Sequence, residues 1–287
     1  MKPILDESEF TEQHTSVNNS VDKLIISRSG RGILDDAILE ETRDRASKKL
    51  YANNYRARLF FARELAKTVD LIFEEGEGVK GAMVTIAPSE YTVMLTEARD
   101  FNVEGLTATV RETLGTENYF GLVEGAYYPR SQIFGKPMVS WHAHCVVWGS
   151  DYSELEQQLD CLNEINRAAI PGSDAFHIRT LTPKDARKRA YYISKGQVRQ
   201  YNAFTVRRPE IGWDEQVMIH EKSFNQKTSM RPGNAVKMMK VMAGRTLPEL
   251  SMAGGEGHRL LKRVFRTTVD EIEADDERIR KSLVRII

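Results

Sequence analysis

The stretch 138-MVSWHAHCVVWG-149 constrains the fold more than any other part of the chain. Its valines and aromatic residues, closed by Gly149, are typical of a β-strand. Side chains two positions apart on a strand point to the same side, so His142 and His144 share one face. The alternate side chains, which the pattern predicts to face the core, are Trp141, Ala143, Cys145 and Val147.

The two histidines allow two interpretations. Imidazoles that share one sheet face are well placed to bind a single metal ion. They could equally form a hydrogen-bonded pair on a half-exposed sheet. The motif His142-Ala143-His144 does not decide between these interpretations, so the decision depends on the rest of the chain.

Composition indicates a soluble globular protein. Of the 287 residues, 41% are hydrophobic and 29% are charged, and no apolar run approaches the roughly 20 residues that a membrane helix needs. The first 20 residues contain no apolar segment of the kind found in signal peptides. Cys145 and Cys161 are too far apart in sequence for a zinc knuckle and are expected to be thiols, which favours the cytoplasm.

Charge is balanced overall but unevenly distributed. The 41 basic residues equal the 41 acidic ones, which argues weakly against a protein that wraps nucleic acid. A local basic face could still guide a phosphate backbone, and it could equally be a solvated helix surface. The basic residues between 177 and 208 are Arg179, Lys184, Arg187, Lys188, Arg189, Lys195, Arg199, Arg207 and Arg208, whereas acidic residues collect at 35–41, 74–77 and 270–277.

The order of predicted elements indicates an α+β fold. The chain divides into a flexible N-terminus (1–30), a helical region (31–77) with a break near 51–55, a central domain (78–205) and a mostly helical C-terminal region (206–287). Within the central domain the pattern is strand, helix, strand, strand, helix, strand, helix. Short connections between these elements predict an antiparallel β-sheet core with flanking helices, and helical appendages at both ends. The predicted helices include 93–114 and 183–200, and residues 201–230 are expected to be irregular apart from a strand at 215–221.

The predicted helix that starts after Thr182 carries a tyrosine among cations. Pro183 suits the first helical position, and Tyr192 and Lys195 lie three residues apart, so their side chains can meet. Nearby positive charge stabilises the phenolate that a tyrosine nucleophile needs. A structural tyrosine beside lysines would show the same pattern. The residues that cluster on this sector of the predicted helix are Lys188, Tyr192, Lys195 and Arg199.

Taken together, these motifs resemble the HUH endonuclease superfamily. His142-Ala143-His144 is similar to its histidine motif, and Tyr192-Ile193-Ser194-Lys195 is similar to its Y-x-x-K motif. The stretches 83-MVTIAP-88 and 121-GLVEGAYYP-129 resemble two further elements of rolling-circle replication initiators, in the same order. The likeness extends over about residues 78–202 and is greatest to the single-tyrosine initiators of plasmids and phages.

The resemblance implies a reaction. Glu124, His142 and His144 would hold one Mn²⁺ or Mg²⁺ ion, and Tyr192 would attack a phosphodiester of single-stranded DNA at a replication origin. This attack leaves a 5′-phosphotyrosine link and a free 3′-hydroxyl, which can prime rolling-circle replication before the strand is rejoined. Lys195 would stabilise the developing charge or the tyrosine. The expected DNA contacts are Lys188, Arg199, Arg179, Tyr191 and Thr85.

Several partners and roles stay open. No Walker A motif is present, so a host helicase is expected to unwind the duplex. Tyr191 remains an alternative nucleophile, and His177 an additional ligand. A homodimer is compatible with the sequence, and basic helices at either end are candidates to bind duplex origin DNA. These helices carry Lys48, Lys49, Arg56, Arg58 and Arg63 in the first region and Lys237, Lys240, Arg245, Arg259, Lys262, Arg263 and Arg266 in the second.

Three other functions compete with an initiator. A transposase or a conjugative relaxase of the same superfamily would use the same chemistry. A DNA-binding protein on this fold would keep the basic helix and need neither the metal nor Tyr192. A small-molecule metalloenzyme would use the histidines and the carboxylate without binding single-stranded DNA.

Overall fold

A computed structural model describes residues 6–27, 32–75, 79–149, 152–211 and 217–284. The helices are α1 (Glu7–Ile26), α2 (Asp36–Thr42), α3 (Tyr55–Glu75), α4 (Val103–Leu114), α5 (Ser153–Ile165), α6 (Pro183–Ser194), α7 (Pro232–Met242), α8 (Leu247–Leu250) and α9 (Gly257–Val284). The strands are β1 (Gly81–Ile86), β2 (Thr92–Met94), β3 (Asn118–Tyr128), β4 (Met138–Trp148), β5 (Phe176–Leu181), β6 (Arg199–Ile211), β7 (Val217–Ser229) and β8 (Ser251–Gly254).

The strands form one curled sheet in the order β5-β1-β4-β3-β6-β7, with β2 paired to β4 and β8 paired to β3. The α+β class is therefore confirmed, but the prediction of a purely antiparallel sheet is wrong. Tyr127 of β3 pairs in parallel with Gln200 of β6, so the sheet is mixed. Helix α6 lies over one face of the sheet, and the chain enters β6 from it. Strand β6 therefore runs beside the end of β3 in the same direction as β3.

Both faces of the central strands β1, β3 and β4 are buried. Helices α4, α5 and α7 cover one face, and α3, α6 and α9 cover the other. The predicted core side of β4 is confirmed, since Trp141, Ala143, Cys145 and Val147 all pack beneath the first group of helices. The histidine side is buried as well, at the edge of the second layer, so the half-exposed sheet considered above is wrong.

Helix α1 occupies most of the segment that the sequence indicated to be flexible or loosely docked. Asp6 caps it by accepting a hydrogen bond from the Glu9 amide (2.8 Å), and Phe10 and Val21 are buried. Burial of these side chains outweighs the polar composition of the segment, because an amphipathic helix needs only one apolar stripe to dock.

His14 makes the stability of this docked helix depend on pH. It is buried between the rings of Phe10 and Tyr55, and desolvation, with the positive charge of Arg58, lowers its pKa from 6.5 to about 3. The unfolded chain therefore binds a proton below pH 6.5 that the folded chain excludes, and the free energy of unfolding falls as pH falls through this window. Between pH 7 and pH 5 the His14 contribution amounts to about 2 kcal/mol.

Urea unfolding of the wild type and of His14→Gln at pH 7 and pH 5 checks this expectation. The glutamine variant is expected to lose about 2 kcal/mol less than the wild type between the two pH values. His258→Gln, at an exposed histidine on α9, is the matched control. Equal losses in the wild type and in His14→Gln would contradict the role of His14.

Residues 206–211 and 217–229 lie in two paired β-strands, whereas an irregular start of a mostly helical region was expected. Strands β6 and β7 pair antiparallel over thirteen residues each, from Arg199 opposite Ser229 to Ile211 opposite Val217. Much of the hairpin is exposed, so its strands carry charged side chains rather than an apolar alternation. Helical structure resumes only at α7. The predicted strand at 215–221 lies partly outside the described residues.

Two predicted helices are longer than the observed ones. Helix α6 is capped by Thr182, as predicted, but it ends at Ser194 because Gly196 takes the left-handed φ of 60° that closes a helix. Lys195 and Arg199 therefore lie outside the helix. In the segment 93–114 the α-helix begins only at Val103, after Asn102 caps α4 by accepting a hydrogen bond from the Glu104 amide. The residues before it include β2.

The flanking helices pack on each other through charge as well as apolar contacts. Arg56 of α3 pairs with Asp275 (2.7 Å) and Asp276 (2.6 Å) of α9. These contacts hold the long C-terminal helix against α3 over the second face of the sheet. None of the helices in the described residues has the length and apolar character that crossing a bilayer requires.

Candidate metal centre

Strand register brings a glutamate opposite a histidine. In the antiparallel ladder between β3 and β4, Glu124 is the direct partner of His142, and Leu122 is the partner of His144. Side chains that are directly opposite in a ladder lie on the same face, so Glu124, His142 and His144 converge. All three are buried, with exposed fractions of 6%, 8% and 6%.

The three side chains have the spacing of a metal-binding group. Their candidate ligand atoms lie within 4.8 Å of one another. The Nε2 atoms of His142 and His144 are 3.1 Å apart, and Glu124 Oε2 is 3.8 Å from each of them. A triangle with sides of 3.1, 3.8 and 3.8 Å has a centre about 2.1 Å from each corner, which is the usual metal–ligand distance for nitrogen and carboxylate oxygen. The group could therefore hold one metal ion.

Hydrogen bonds orient both imidazoles toward this point. His142 Nδ1 lies 3.1 Å from the Ser140 carbonyl oxygen, so Nδ1 carries the proton and Nε2 keeps its lone pair. His144 Nδ1 lies 3.0 Å from Thr85 Oγ1, on the neighbouring strand β1. Outer contacts of this kind fix the ring orientation of metal-ligating histidines.

Both histidines are held in the neutral form that metal ligation requires. Burial lowers the pKa of His142, and the nearby Lys195 ammonium adds to this effect while Glu124 opposes it. Burial also lowers the pKa of His144 well below its usual value, with His142 and Lys195 acting in the same direction. Only a neutral imidazole has a lone pair to donate to a metal.

Lys195 pairs with the glutamate of this group. It lies just after α6, its side chain is 1% exposed, and its ammonium contacts Glu124 Oε2. Burial lowers the pKa of Lys195, and the Glu124 carboxylate opposes this by stabilising the ammonium. The turn that places Lys195 depends on Gly196, since a Cβ at this position would lie 2.6 Å from Arg58 Nε. Arg58 in turn donates to the Ser194 carbonyl (3.1 Å).

Tyr192 lies beside the histidines among three cations. The centre of its ring is 5.2 Å from the centre of the His144 ring, and Lys195 Nζ lies 4.0 Å from the centre of the Tyr192 ring. Lys227 of β7 donates to the Tyr192 hydroxyl at 3.4 Å, and Arg189 lies 5.6 Å from the ring centre. The phenolic oxygen is therefore presented next to positive charge, at the edge of the candidate metal group.

Tyr191 does not belong to this site. It is 5% exposed and packs in the layer formed by α3, α6 and α9, with its ring 6.3 Å from that of Phe10. Burial raises its pKa. Adjacent residues on a helix point in directions about 100° apart, so Tyr192 can reach the histidines only while Tyr191 turns into the core. The structure therefore places Tyr191 in the core, and its contact with DNA stays a prediction.

The other predicted DNA contacts are distributed around one concavity of about 600 Å³ next to the histidines. Arg179 and Lys188 line it, and Lys188 also pairs with Asp185 (3.1 Å). Arg199 lines it as well, although it is buried and donates to Gln13 of α1. Thr85 lies at the inner wall, where its hydroxyl is engaged by His144.

Sequence reasoning missed two cations of this concavity, Arg189 and Lys227. Arg189 was visible as part of the basic run but was not assigned to the Tyr192 sector. Lys227 had no signal, because the hairpin that carries it was expected to be irregular. His177 is exposed and lines the outer part, but it is not a member of the metal-binding group found among the described residues.

Part of the basic surface proposed for duplex DNA is already engaged within the protein. Arg56 is paired with α9, and Arg63 donates to Glu7 (2.9 Å). Arg58 is fully buried, which lowers its pKa to about 10. These three side chains therefore make contacts within the protein, and the binding of duplex DNA by this surface stays a prediction.

Removal of the Thr85 hydroxyl is expected to weaken metal binding about 10- to 100-fold, because it releases the His144 ring from its orienting contact. Isothermal titration of Mn²⁺ into Thr85→Val and wild type measures the difference. His177→Ala is the matched control, because His177 pairs with Thr85 in the β1–β5 ladder and lies outside the group. Unchanged affinity in Thr85→Val, or a loss in His177→Ala, would contradict the assignment of ligands.

The curled mixed sheet with its buried group of two histidines and one glutamate is loosely compatible with an HUH endonuclease fold. Comparison of the chain with protein-family models, curated proteins and solved structures finds no match.

Proposed function

We propose that this protein nicks and rejoins single-stranded DNA through a covalent link to Tyr192, with a divalent metal ion held by Glu124, His142 and His144. One observation gives this proposal its strongest support. A half-exposed tyrosine on α6 lies 5.2 Å, ring centre to ring centre, from a histidine of the buried group, and both line the same concavity. A metal group and a nucleophile at one surface are the requirements of phosphoryl transfer to a side chain.

The chain supplies the nucleophile and its electrostatic surroundings. The Tyr192 oxygen forms a bond to phosphorus, the bond to the 3′ oxygen breaks, and the phenolic proton is lost to solvent as the 3′-hydroxyl takes one up. Lys227 donates to the phenolic oxygen and stabilises negative charge on it. Lys195 lies against the tyrosine ring and balances the charge of Glu124.

A bound Mn²⁺ or Mg²⁺ would polarise the scissile phosphate as a Lewis acid. Two imidazole nitrogens and one carboxylate suit Mn²⁺, and they are tolerated by Mg²⁺. The protein's own part is to hold these three donors in place, through the β3–β4 register and the contacts to Ser140 and Thr85. Reversal by the free 3′-hydroxyl would rejoin the strand and release Tyr192.

The cationic concavity supports a nucleic-acid substrate rather than a small metabolite. It adjoins the histidines and is lined by Arg179, Lys188, Arg189, Arg199 and Lys227. Cations in a row track the phosphates of an unpaired strand, and binding through them is sequence-tolerant. Tyr128 and Tyr201 line the neighbouring concavity above the histidines, where both side chains are buried. Initiation of rolling-circle replication, with a host helicase, is the biological role that we propose for this chemistry.

Incubation of the purified protein with labelled single-stranded DNA of its own replicon, followed by a denaturing gel, tests the proposal. We expect a covalent protein–DNA adduct with Mn²⁺ and none with EDTA. DNA binding without an adduct would instead favour a non-catalytic DNA-binding protein. Absence of both would favour a small-molecule metalloenzyme.

A further inference from the structure

The β6–β7 hairpin has a second polar face that points away from the candidate metal centre. Side chains alternate along its strands, so Tyr201 and Lys227 face the histidine concavity. Their neighbours point to the other side and line a separate concavity of about 620 Å³, with α7 and the end of β3 as its walls. This size is typical of a ligand site. Polar hairpin residues that line it are Gln200, Asn202, Gln226 and Thr228.

Carboxamides form the floor of this second concavity. Gln200 is buried and fixed, because its Oε1 accepts from the Arg231 amide (3.1 Å) and from Asn234 Nδ2 (2.8 Å). Asn202 and Gln226 are direct partners in the β6–β7 ladder, so their carboxamides project side by side. Both are exposed, and neither carboxamide has a hydrogen-bond partner in the described ranges.

Three cations surround the carboxamides. Arg130, Arg231 and Lys237 line the concavity, and its lining includes no acidic residue. Across the parts of the chain that the structure describes, none of the three forms an ion pair. Cations without carboxylate partners around a polar hollow attract an anion, and phosphate suits the bidentate guanidinium.

We propose that this concavity binds an unpaired nucleotide of the DNA strand that reaches the candidate metal centre, so that it contributes to selection of the cleavage site. The Asn202–Gln226 pair offers adjacent donors and acceptors, which match the edge of a base. The surrounding cations hold the flanking phosphates. An unstacked base of a single strand fits a concavity of this size. A base within a duplex can be contacted only by side chains that enter a groove, so a concave site does not suit duplex DNA.

The location of the concavity favours, as its occupant, the DNA strand that also reaches the candidate metal centre. Tyr201 lines both this hollow and the one above the histidines, so the two sites are neighbours across a single strand of the sheet. A DNA strand bound in one concavity therefore lies beside the other. The inference rests on the proposed function, since it requires that the protein binds single-stranded DNA.

Fluorescence anisotropy with labelled 12-nucleotide strands of dA, dC and dT, in EDTA to prevent cleavage, tests the inference. For the wild type we expect the tightest and weakest strands to differ at least about 5-fold in Kd, because one good base contact discriminates by this factor or more. Asn202→Ala/Gln226→Ala is expected to bring the three Kd values to within about 2-fold of each other. Lys237→Gln is expected to weaken all three equally and to reduce the salt slope by about 0.7.

Matched controls are Gln158→Ala on α5 and Lys23→Gln on α1, which are exposed and lie outside the concavity. Their Kd values should equal those of the wild type. A wild type without base preference, or a double variant that keeps it, would overturn the subsite while adduct formation at Tyr192 could still uphold the proposed function. Failure of the wild type to bind any of the three strands would overturn both.

Discussion

Replacement of Tyr192 by phenylalanine is expected to abolish the metal-dependent protein–DNA adduct, with a loss of at least about a thousandfold in its rate of formation. The change removes one oxygen atom and leaves the ring beside His144 and above Lys195. Metal affinity and the melting temperature should therefore stay near those of the wild type, because within the described residues the hydroxyl has one hydrogen-bond partner, Lys227, at 3.4 Å. The measurement is a time course of adduct formation on a denaturing gel with Mn²⁺.

Tyr191→Phe is the matched control for this experiment. The two tyrosines are adjacent on α6, but the ring of Tyr191 packs against Phe10 in the core. The control should form the adduct at the wild-type rate. An adduct that persists in Tyr192→Phe and disappears in Tyr191→Phe would assign the nucleophile to the other tyrosine, and an adduct in both variants would exclude α6 as its source.

The face that carries the histidines could be predicted from sequence because it depends on a local rule. Alternation along a strand places His142 and His144 together whatever the partner strands are. The contribution of Glu124 depends on the register between β3 and β4, and the nine residues that separate these strands do not determine it. Glu124 could therefore be predicted as a ligand only from the resemblance to a known family. The pairing of β3 with β4 explains physically why Glu124 lies beside His142.

The N-terminal helix α1 and the end of α6 could also have been predicted from the sequence. Phe10, His14, Val17 and Val21 follow the three-and-four spacing of a helix face, and Asp6 precedes them as a cap. Gly196 is a standard helix terminator, so the end of α6 before Arg199 was also predictable. Lys227 was not, because an exposed hairpin strand has no apolar alternation that reveals it.

Loss of Glu124 is expected to have the second large effect, on stability as well as on metal binding. Its carboxylate is the partner of the Lys195 ammonium, which is almost completely buried. In EDTA, Glu124→Gln leaves this charge without a counterion, and removal of one partner of a buried pair typically costs about 3–5 kcal/mol of unfolding free energy. Urea unfolding measures the loss. Glu124→Gln/Lys195→Met removes both charges and is expected to recover most of it.

Addition of Mn²⁺ separates the structural from the metal-binding role of this carboxylate. Lys195→Met leaves Glu124 buried without its cation, and a divalent ion can replace that positive charge. We therefore expect Mn²⁺ to raise the melting temperature of Lys195→Met by more than that of the wild type, because ligand binding stabilises the folded state in proportion to affinity. The same addition should leave Glu124→Gln and the double variant almost unchanged. Equal stabilisation of Glu124→Gln and wild type by Mn²⁺ would show that Glu124 is not a ligand, while stable single variants in EDTA would show that the Glu124–Lys195 pair carries no buried charge.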